Sequence, residues 1–374
     1  MKKILYLSPG FFHAREDLFI RLSNEFDIRI IEASNYMNGT PSEKYKSLVD
    51  FEIWNYNSFR LSKLRLKYIF PLFFSVLKEL RRNKYDIVIA STQHPLYSKF
   101  VYLLRPFFKY KLAYVNEVWT YSHKQKGLMT KIYDRISMHI IKHADYVLNE
   151  GIRSEEFMIN QGVDSRKCLR WPMASVDMKY KEIISHDALD MSFRKNQSKI
   201  KFGFIGRLTE PKGVRTLCEA FKLLPKEYKD KAAMYIIGRG PLYEELIRFK
   251  DENSSVEVFE WIDSKYLPYF YSNMDFFINP SHFDGFSTVA CEAGSMSLPL
   301  ILTEKVGCVP DLLGNETGLV VQEKNPQMLA AAIMQMMDTP KDDLILAGKI
   351  CREKFEHISS IDINVNTIKY IIND

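Results

Sequence analysis

The stretch Ser281–Pro299, SHFDGFSTVACEAGSMSLP, decides how the rest of the chain is interpreted. It follows an apolar run, residues 274–280, that predicts a buried strand ending at a proline. A short loop with one glycine comes next, and Ser287 and Thr288 then open a predicted helix of small residues. A strand, a glycine-bearing loop and a helix N-terminus in this order predict an anion site, because free backbone N–H groups and the helix dipole meet there.

Two carboxylates flank this predicted anion site. Asp284 lies in the loop, and Glu292 follows inside the predicted helix, eight positions later. A carboxylate can accept two hydroxyl hydrogen bonds, so this pair suits a sugar on one side of a phosphate and a ribose on the other. The residues alone also allow an ordinary βα turn that carries two incidental acids.

The stretch resembles the acid-x7-acid motif of the retaining GT-B glycosyltransferases of family 4, whose usual form is Glu-Gly-Phe-Gly followed by Glu-Ala. Here the first acid is Asp284, and Ser287 stands at the third small residue. The resemblance implies an α/β chain of two Rossmann-like, doubly wound domains that face a central cleft holding the active site. It also implies that Asp284 binds sugar hydroxyls, that Glu292 binds the ribose, and that backbone N–H groups hold the diphosphate at Gly285, Phe286, Ser287 and Thr288.

Composition predicts a globular chain without a membrane span. The 374 residues suffice for about two domains, and 46% are hydrophobic. No run approaches the roughly 20 apolar residues that a spanning helix needs, and residues 1–9 predict a first strand rather than a signal peptide. Five scattered cysteines without a C-x-x-C pair favour reduced thiols in a cytosol and argue against zinc.

The net charge of +6 is unevenly distributed. Between Arg60 and Lys84 eight Lys/Arg residues stand against the single acid Glu79, interleaved with bulky apolar residues, and residues 99–111 repeat this pattern. Such basic amphipathic segments suit an anionic membrane surface, so we expect a cytoplasmic protein that associates with the inner face of the cell membrane. An ordinary helix with a solvated basic face is the alternative. Nucleic acid is not expected as a partner, since no motif for it accompanies the charge.

The N-terminal half alternates strand and helix signals, which predicts βαβ units and a parallel sheet. Predicted strands are Ile4–Ser8, Asp27–Ile31, Ile87–Ala90, Lys111–Val115 and Tyr146–Asn149. In the resembled family the loop after the first strand, here residues 8–13 with Gly10, closes over the sugar nucleotide or the acceptor. His94 follows a strand end, where a histidine could donate to a sugar or phosphate, or cap local backbone.

The segment Ala113–Trp119 resembles the family's Thr-Val-His-Asp-Leu-Trp. The family's active-site histidine falls on Asn116, which can donate and accept hydrogen bonds but cannot carry a proton at neutral pH. We therefore keep Asn116 as a candidate catalytic residue without a proton-relay role. Glu117, a candidate substrate-binding residue, and His94 are the alternatives for that role.

A second anion loop begins the C-terminal half. The predicted strand Ile200–Ile205 runs into Gly206–Gly213, which resembles the family's Gly-Arg-Leu…Lys-Gly segment. Gly206 allows close approach, and Arg207 and Lys212 place two cations on one loop. Cations fixed at a diphosphate can stabilise the charge that develops as it leaves, in place of a metal. We therefore expect no metal and no cofactor, although two solvated surface cations are the simpler alternative.

Two further segments bear on the nucleotide. Gly238 opens a Gly-x-Gly after a strand, but Tyr243 stands at the third glycine of a dinucleotide motif, so a dehydrogenase is poorly supported. The family carries a similar Gly-x-Gly-Pro that lines the nucleotide pocket. Glu260 stands where the family usually has glycine, beside Trp261. That tryptophan could stack on the base or belong to the core.

The predicted organisation is an acceptor-binding domain at residues 1–185, a polar linker at 181–199, a nucleotide-sugar domain at 198–350, and terminal helices at 351–374 that return to the first domain. The resemblance implies a retaining hexosyltransferase that moves a sugar from a UDP or GDP donor. The expected acceptor is a glycan or a lipid-linked molecule, in bacterial surface polysaccharide or lipopolysaccharide assembly. Two alternatives remain at this point: a nucleotide-sugar 2-epimerase or phosphorylase on the same fold, and a non-catalytic partner subunit.

Overall fold

The computed structural model describes residues 1–12, 15–38, 42–54, 66–91, 95–120, 128–172, 177–314 and 316–374. Contacts divide the chain into two units. Unit 1 comprises Met1–Ala174 and Ile361–Asp374, and unit 2 comprises Ser175–Ser360. The boundaries predicted from the sequence, at 185/198 and 350/351, therefore differ from the contact-defined ones. Among the described residues, no helix combines the length and the apolarity that crossing a bilayer requires.

Unit 1 alternates strands and helices along the chain, as expected for βαβ units. Its strands are β1 (Lys3–Phe12), β2 (Asp27–Asn38), β3 (Asp50–Ile53), β4 (Ile87–Ser91), β5 (Lys111–Asn116), β6 (Tyr146–Asn149) and β7 (Cys168–Arg170). Its helices are α1 (Glu16–Glu25), α2 (Glu43–Leu48), α3 (Leu66–Arg82), α4 (Leu96–Phe108), α5 (Leu128–Lys142), α6 (Ile152–Asn160) and, after unit 2, α16 (Ile361–Asn373).

The seven described strands of unit 1 form one parallel sheet in the order β3-β2-β1-β4-β5-β6-β7. Helices α3, α4, α5 and α6 cover one face, and α1, α2 and α16 cover the other. Both faces are buried because each crossover lays a helix on the sheet, which is why the strands are apolar along their length. The predicted doubly wound parallel sheet is confirmed.

The first strand is longer than predicted. The ladder between β1 and β2 shifts between Ser8 and Gly10 and then resumes, with Gly10 opposite Tyr36 and Phe12 opposite Asn38. The loop expected at residues 8–13 is corrected as far as residue 12, because Gly10 lies within a strand, and residue 13 lies outside the described residues. The proline and glycine suggested a turn, but the bulge absorbs them and the pairing continues.

Unit 2 repeats the alternation. Its strands are β8 (Ile200–Ile205), β9 (Ala232–Ile237), β10 (Val256–Phe259), β11 (Phe276–Asn279), β12 (Leu300–Thr303) and β13 (Gly318–Val321). Its helices are α7 (Asp187–Lys195), α8 (Val214–Leu223), α9 (Lys226–Lys231), α10 (Tyr243–Glu252), α11 (Leu267–Ser272), α12 (Thr288–Ser295), α13 (Val309–Leu312), α14 (Pro326–Asp338) and α15 (Lys341–Ser359).

The described strands of unit 2 form a second parallel sheet, in the order β10-β9-β8-β11-β12-β13. Its core is aromatic, with Phe202 of β8 and Phe276 of β11 stacked 4.9 Å apart. The predicted linker at 181–199 is corrected, because it contains α7. Leu189 and Phe193, four positions apart, are buried on one side of that helix, and the Phe193 ring packs on Tyr235. A single interval of four, between Leu189 and Phe193, was too short a pattern to predict it.

Candidate active-site residues in the two units

The loops that follow β8, β9 and β11 are tied together through glycines at the carboxyl edge of the second sheet. Gly206 donates its N–H to the Ile237 carbonyl, and a Cβ on Gly238 would lie 1.8 Å from the Gly206 oxygen. Gly213 has φ +69°, and a Cβ there would lie 1.9 Å from the Pro280 oxygen. Only glycine permits these approaches. They bring the two predicted anion loops side by side.

Lys212 and Asp284, from motifs 72 positions apart, form a direct ion pair. The Lys212 Nζ lies 2.6 Å from Asp284 Oδ2, and the two side chains are only 21% and 14% exposed. The Asn279 amide nitrogen at the end of β11 lies 3.5 Å from the same oxygen. The cation and the acid that the sequence placed on separate loops therefore belong to one site.

The predicted opening of the following helix is confirmed, and its cap explains one departure from the family motif. Ser287 has φ +78°, in the left-handed region where glycine is usual. Its hydroxyl accepts hydrogen bonds from the Asn279 amide at 2.7 Å and from the Ala290 N–H at 3.3 Å. Serine is therefore held in this conformation by its own side chain. The same hydroxyl therefore caps the first turn of α12 by accepting the Ala290 N–H.

The loop that carries Asp284 is also braced by the loop after β12. The Asp284 N–H donates to the Lys305 carbonyl, the Gly307 N–H donates to the Asp284 carbonyl, and the Cys308 N–H donates to the Phe286 carbonyl, at 3.0 to 3.1 Å. Sequence reasoning did not foresee this brace, since residues 305–308 carry no functional side-chain pattern. Its effect is to fix Asp284 through its backbone on both sides.

Arg207 completes the cationic side of the site. It is exposed, and its guanidinium makes no ion pair within the described residues. The charge of Lys212 is balanced by Asp284, so the site keeps one net positive charge, that of Arg207. An anion is the ligand that such an edge favours, because helix N–H groups and a fixed cation act in the same direction.

Glu292 of α12 points into the protein. Its side chain is 8% exposed, and the Tyr271 hydroxyl donates to Oε2 at 2.9 Å. Burial raises the pKa of Glu292 to about 7, while the hydrogen bond from Tyr271 opposes that rise. A ribose at this carboxylate would therefore bind through Oε1 or share Oε2 with Tyr271.

Trp261 is not a core residue. It is 60% exposed, and the Arg239 guanidinium carbon lies 5.1 Å from its ring centre. The Arg239 Nε also lies 3.7 Å from a Glu260 carboxylate oxygen. These side chains follow β9 and β10, next to the strand that leads to Arg207. The structure therefore removes the core alternative for Trp261 and leaves an exposed aromatic face at this edge.

The carboxyl edge of the first sheet carries a different arrangement, built around the buried guanidinium of Arg15. It donates to Glu117 Oε1 at 3.0 Å, to Glu150 Oε1 at 3.2 Å, and to the hydroxyls of Ser91 and Tyr6 at 3.2 and 3.3 Å. Tyr6, Ser91, Glu117 and Glu150 lie in or directly after β1, β4, β5 and β6. One cation therefore ties four strands together, and only Glu117 of these partners is substantially exposed.

The side chain of Asn116 is held by hydrogen bonds inside unit 1. Its amide nitrogen lies within hydrogen-bond distance of the Val118 carbonyl, Asn149 Oδ1 and the Ser154 carbonyl, at 3.0 to 3.2 Å. Its carboxamide oxygen accepts the Val118 N–H at 3.1 Å. The side chain is fully buried. The geometry therefore gives Asn116 a role in joining β5, β6 and α6, and its candidate catalytic role stays a prediction.

Other predicted site residues stand as follows. His94 lies outside the described residues. Gly10, Gly206 and Gly238 act through their backbone, and Glu117 projects at the edge of the first sheet. Sequence reasoning missed Arg15 and Glu150, which form no local motif. Within the described part of the chain no group of three or more His, Cys, Asp or Glu side chains gathers as a metal site.

Comparisons with known proteins bear on both units. Residues 199–339 match the family model for glycosyl transferases group 1. An uncharacterized 41.2 kDa protein in the cps region of Klebsiella pneumoniae is 23% identical over 278 residues, which cover 72% of this chain and 73% of that protein. The capsular polysaccharide biosynthesis glycosyltransferase CapM of Staphylococcus aureus is 28% identical over 141 residues, 36% of each chain.

Among solved structures, Anabaena HepE in complex with UDP is similar in fold over the full length of both chains. The TM-score is 0.76 and the sequence identity is 15%, so this likeness concerns the fold alone. Taking the family model, the capsule relatives and the fold together, the chain is a glycosyltransferase with the GT-B fold.

Proposed function

We propose that the protein transfers a sugar from a nucleotide-diphosphate donor, UDP- or GDP-linked, to a glycan or lipid-linked acceptor, with retention of the anomeric configuration. The observation that carries the proposal is the pairing of Lys212 with Asp284, beside Arg207 and the start of α12. This one edge offers cations for a diphosphate and a carboxylate for sugar hydroxyls. The cps-region and capsule relatives support a role in bacterial surface polysaccharide assembly.

In the proposed donor complex, Arg207 and Lys212 bind the diphosphate together with the first N–H groups of α12. An ammonium has three N–H donors, so Lys212 can contact a phosphate oxygen without leaving Asp284. Asp284 then faces the donor sugar and accepts hydrogen bonds from its hydroxyls. Trp261 and Arg239 offer a surface on which the base can stack.

The chemical step of the proposal is a front-face substitution. The bond between the anomeric carbon and the diphosphate oxygen breaks, and its electron pair stays on that oxygen. The acceptor oxygen bonds to the anomeric carbon from the same face, and its proton passes to the leaving phosphate. Arg207 and Lys212 stabilise the charge on the phosphate in the transition state, a role that needs no metal. No base at Asn116 is required.

Unit 1 supplies the acceptor side in this proposal. The exposed Glu117 carboxylate, held by Arg15, can accept a hydrogen bond from an acceptor hydroxyl. A lipid-linked acceptor would place the enzyme at the inner, anionic face of a membrane as a peripheral protein.

A thermal-shift screen of the full chain tests the donor site. UDP, GDP, ADP and their sugars are compared on the wild type, on Arg207→Ala, and on Lys349→Ala as a matched control at an exposed lysine of α15. We expect one nucleotide class to raise Tm in the wild type and in Lys349→Ala but not in Arg207→Ala.

Turnover tests the enzyme itself. Incubation of the stabilising nucleotide sugar with purified protein should release the nucleoside diphosphate, and Asp284→Ala should abolish that release. A protein that binds nucleotide but releases none, with any acceptor supplied, would contradict catalysis and leave a binding subunit. A product of inverted configuration would contradict retention.

A further inference from the structure

Helices α3, α4 and α5 present an apolar outer surface. Their inner sides pack on the first sheet in one core cluster, and α4 packs against both neighbours. On the opposite side each helix exposes large apolar side chains that are between 46% and 78% exposed, namely Phe70, Phe74, Leu103, Phe107, Leu128, Ile132 and Ile136. We call this surface the three-helix face.

The exposed apolar residues recur at a regular interval along each helix. Phe70 and Phe74, and likewise Leu103 and Phe107, are four positions apart, and three residues on α5 follow the same interval. Residues four apart lie on one side of a helix, so each helix carries a continuous apolar stripe. Apolar stripes on three neighbouring helices are typical of an interaction surface.

The charges around the three-helix face are almost entirely positive. Exposed cations on α3 and α5 are Lys78, Arg81, Arg82, Lys131 and Arg135. Glu79 is buried and turned inward, where it accepts hydrogen bonds from Asn83 and Tyr85. Apolar stripes bordered by cations match a surface that is apolar beneath a layer of negative charge.

A groove of about 900 Å³ continues from α4 to the amino edge of the first sheet. Its lining includes Leu103 and Pro106 of α4, the cations Lys2, Arg105, Lys109 and Lys111, and the acids Asp86 and Asp145. Lys2 pairs with Asp86 at 3.0 Å, and Arg105 pairs with Asp145. Among the described residues, Lys109 and Lys111 have no carboxylate partner, and the Lys111 Nζ donates to the Ile371 carbonyl at 2.9 Å. The groove lining therefore has a net positive charge.

We propose that the three-helix face docks on an anionic phospholipid bilayer, with the groove holding one phosphate headgroup. The inference deepens the proposed peripheral location by naming the surface and the headgroup site. The apolar stripes would lie at the boundary between headgroups and acyl chains. The groove opens beside Leu103 and Pro106, so its cations lie at headgroup depth. A second copy of the chain could cover the stripes, but it would bring like charges together.

Vesicle co-sedimentation of the full chain tests the docking. We expect binding to vesicles containing phosphatidylglycerol, weaker binding to pure phosphatidylcholine, and a loss of binding as salt rises. The triple variant Phe74→Ser/Phe107→Ser/Ile132→Ser should lower the apparent affinity by about tenfold or more. The matched control Met191→Ser/Ile345→Ser/Leu346→Ser, at exposed apolar residues of unit 2, should bind like the wild type.

Equal binding by the triple variant and the wild type would overturn the proposal. The proposal would also be overturned if the wild type did not bind vesicles but formed dimers that the triple variant does not form. Light scattering of the wild type and the triple variant measures this. The groove is tested separately with Lys109→Glu against Lys349→Glu, an equal charge change on α15. Equal losses in these two variants would refute the headgroup site.

The nucleotide thermal shift distinguishes this inference from the proposed function. The donor site lies in unit 2, so every variant above should keep the stabilisation by its nucleotide. Loss of vesicle binding with the shift retained would support the docking face and show that the variants are folded. A nucleotide shift absent from the wild type itself would count against the donor site and leave the docking result standing.

Discussion

The carboxyl edges of the two sheets use charge in opposite ways. In unit 2 the edge presents cations, Arg207 and Lys212, with one acid between the loops. In unit 1 a single buried cation, Arg15, is surrounded by the carboxylates of Glu117 and Glu150. The same doubly wound layout therefore yields one edge that favours an anion and another that offers carboxylates to hydroxyl groups. The sheet sets the place of a site, and the loop side chains set what it binds.

After the abolition expected for Asp284→Ala, the largest effect is expected from removing Lys212, one of the two cations of the donor edge. Lys212→Ala should lower turnover of the nucleotide sugar by about 10²–10³-fold, because a fixed charge at the leaving phosphate is lost. Steady-state kinetics measure this, with Lys349→Ala as the control. If Lys212→Ala kept turnover within a few-fold of the wild type, the edge of unit 2 would not be the edge that binds the leaving phosphate.

Arg15→Met should destabilise unit 1 by about 3 kcal/mol, because it leaves the buried Glu150 carboxylate without its cation. Urea unfolding gives the value. Arg166→Met, at an exposed pair with Asp164, is the control and should leave the urea midpoint close to that of the wild type. Similar values for the two variants would show that the Arg15 cluster is no more than a surface ion pair.

Glu32 of β2 offers a pH-dependent test within unit 1. It is 1% exposed, its Oε2 has no hydrogen-bond partner among the described residues, and burial raises its pKa to about 7. Because the folded pKa exceeds the unfolded value, the folded state gains stability from this proton below about pH 4.5, and the gain disappears as the pH rises towards 7.

Glu32→Gln should therefore increase stability at pH 8 relative to the wild type by about 2 kcal/mol, and by much less at pH 5. Urea unfolding at both pH values tests this. Asp86→Asn is a control with the opposite direction of pKa shift. The Lys3 N–H and the Lys2 ammonium lower the Asp86 pKa despite partial burial, so the ionised carboxylate stabilises the folded state there. A pH-independent effect of Glu32→Gln would contradict the buried, unpaired carboxylate.

The smallest effect is expected at the acceptor edge. Glu117→Gln removes a charge but keeps a hydrogen-bond acceptor, so transfer should fall by about tenfold through KM for the acceptor. The nucleotide thermal shift should stay unchanged, since Glu117 belongs to unit 1. A reduced shift would mean that Glu117 acts on the donor instead.

The two edges also differ in how far they could be predicted from sequence. In unit 2 the candidate site comes from two segments, Gly206–Gly213 and Ser281–Pro299. Each segment is a continuous stretch of sequence that supplies both backbone and side-chain groups for one ligand. A local pattern therefore predicted Lys212 and Asp284 before their contact was visible. The cap at Ser287 was also predicted, although its positive φ was not.

In unit 1 the partners of Arg15 lie up to 135 positions away from it, so no window of sequence contains the cluster. For Asn116 a local resemblance suggested catalysis, which stays a prediction, but it gave no sign that the amide also contacts β6 and α6. Helix α7 was missed because few of its residues are apolar. Packing from distant segments supplies what local periodicity cannot.

The chain returns from unit 2 to unit 1 at Ile361, and this order has a consequence for folding during synthesis. Unit 2 is continuous, but unit 1 takes α16 from beyond it, and Val365, Ile368 and Ile371 of that helix are buried in the first core. Lys111 at the start of β5 also donates to the Ile371 carbonyl at 2.9 Å. On the ribosome, unit 2 therefore emerges whole before unit 1 can close. For that interval the nascent N-terminal unit exposes the surface that α16 will cover, so it depends on unit 2 folding promptly.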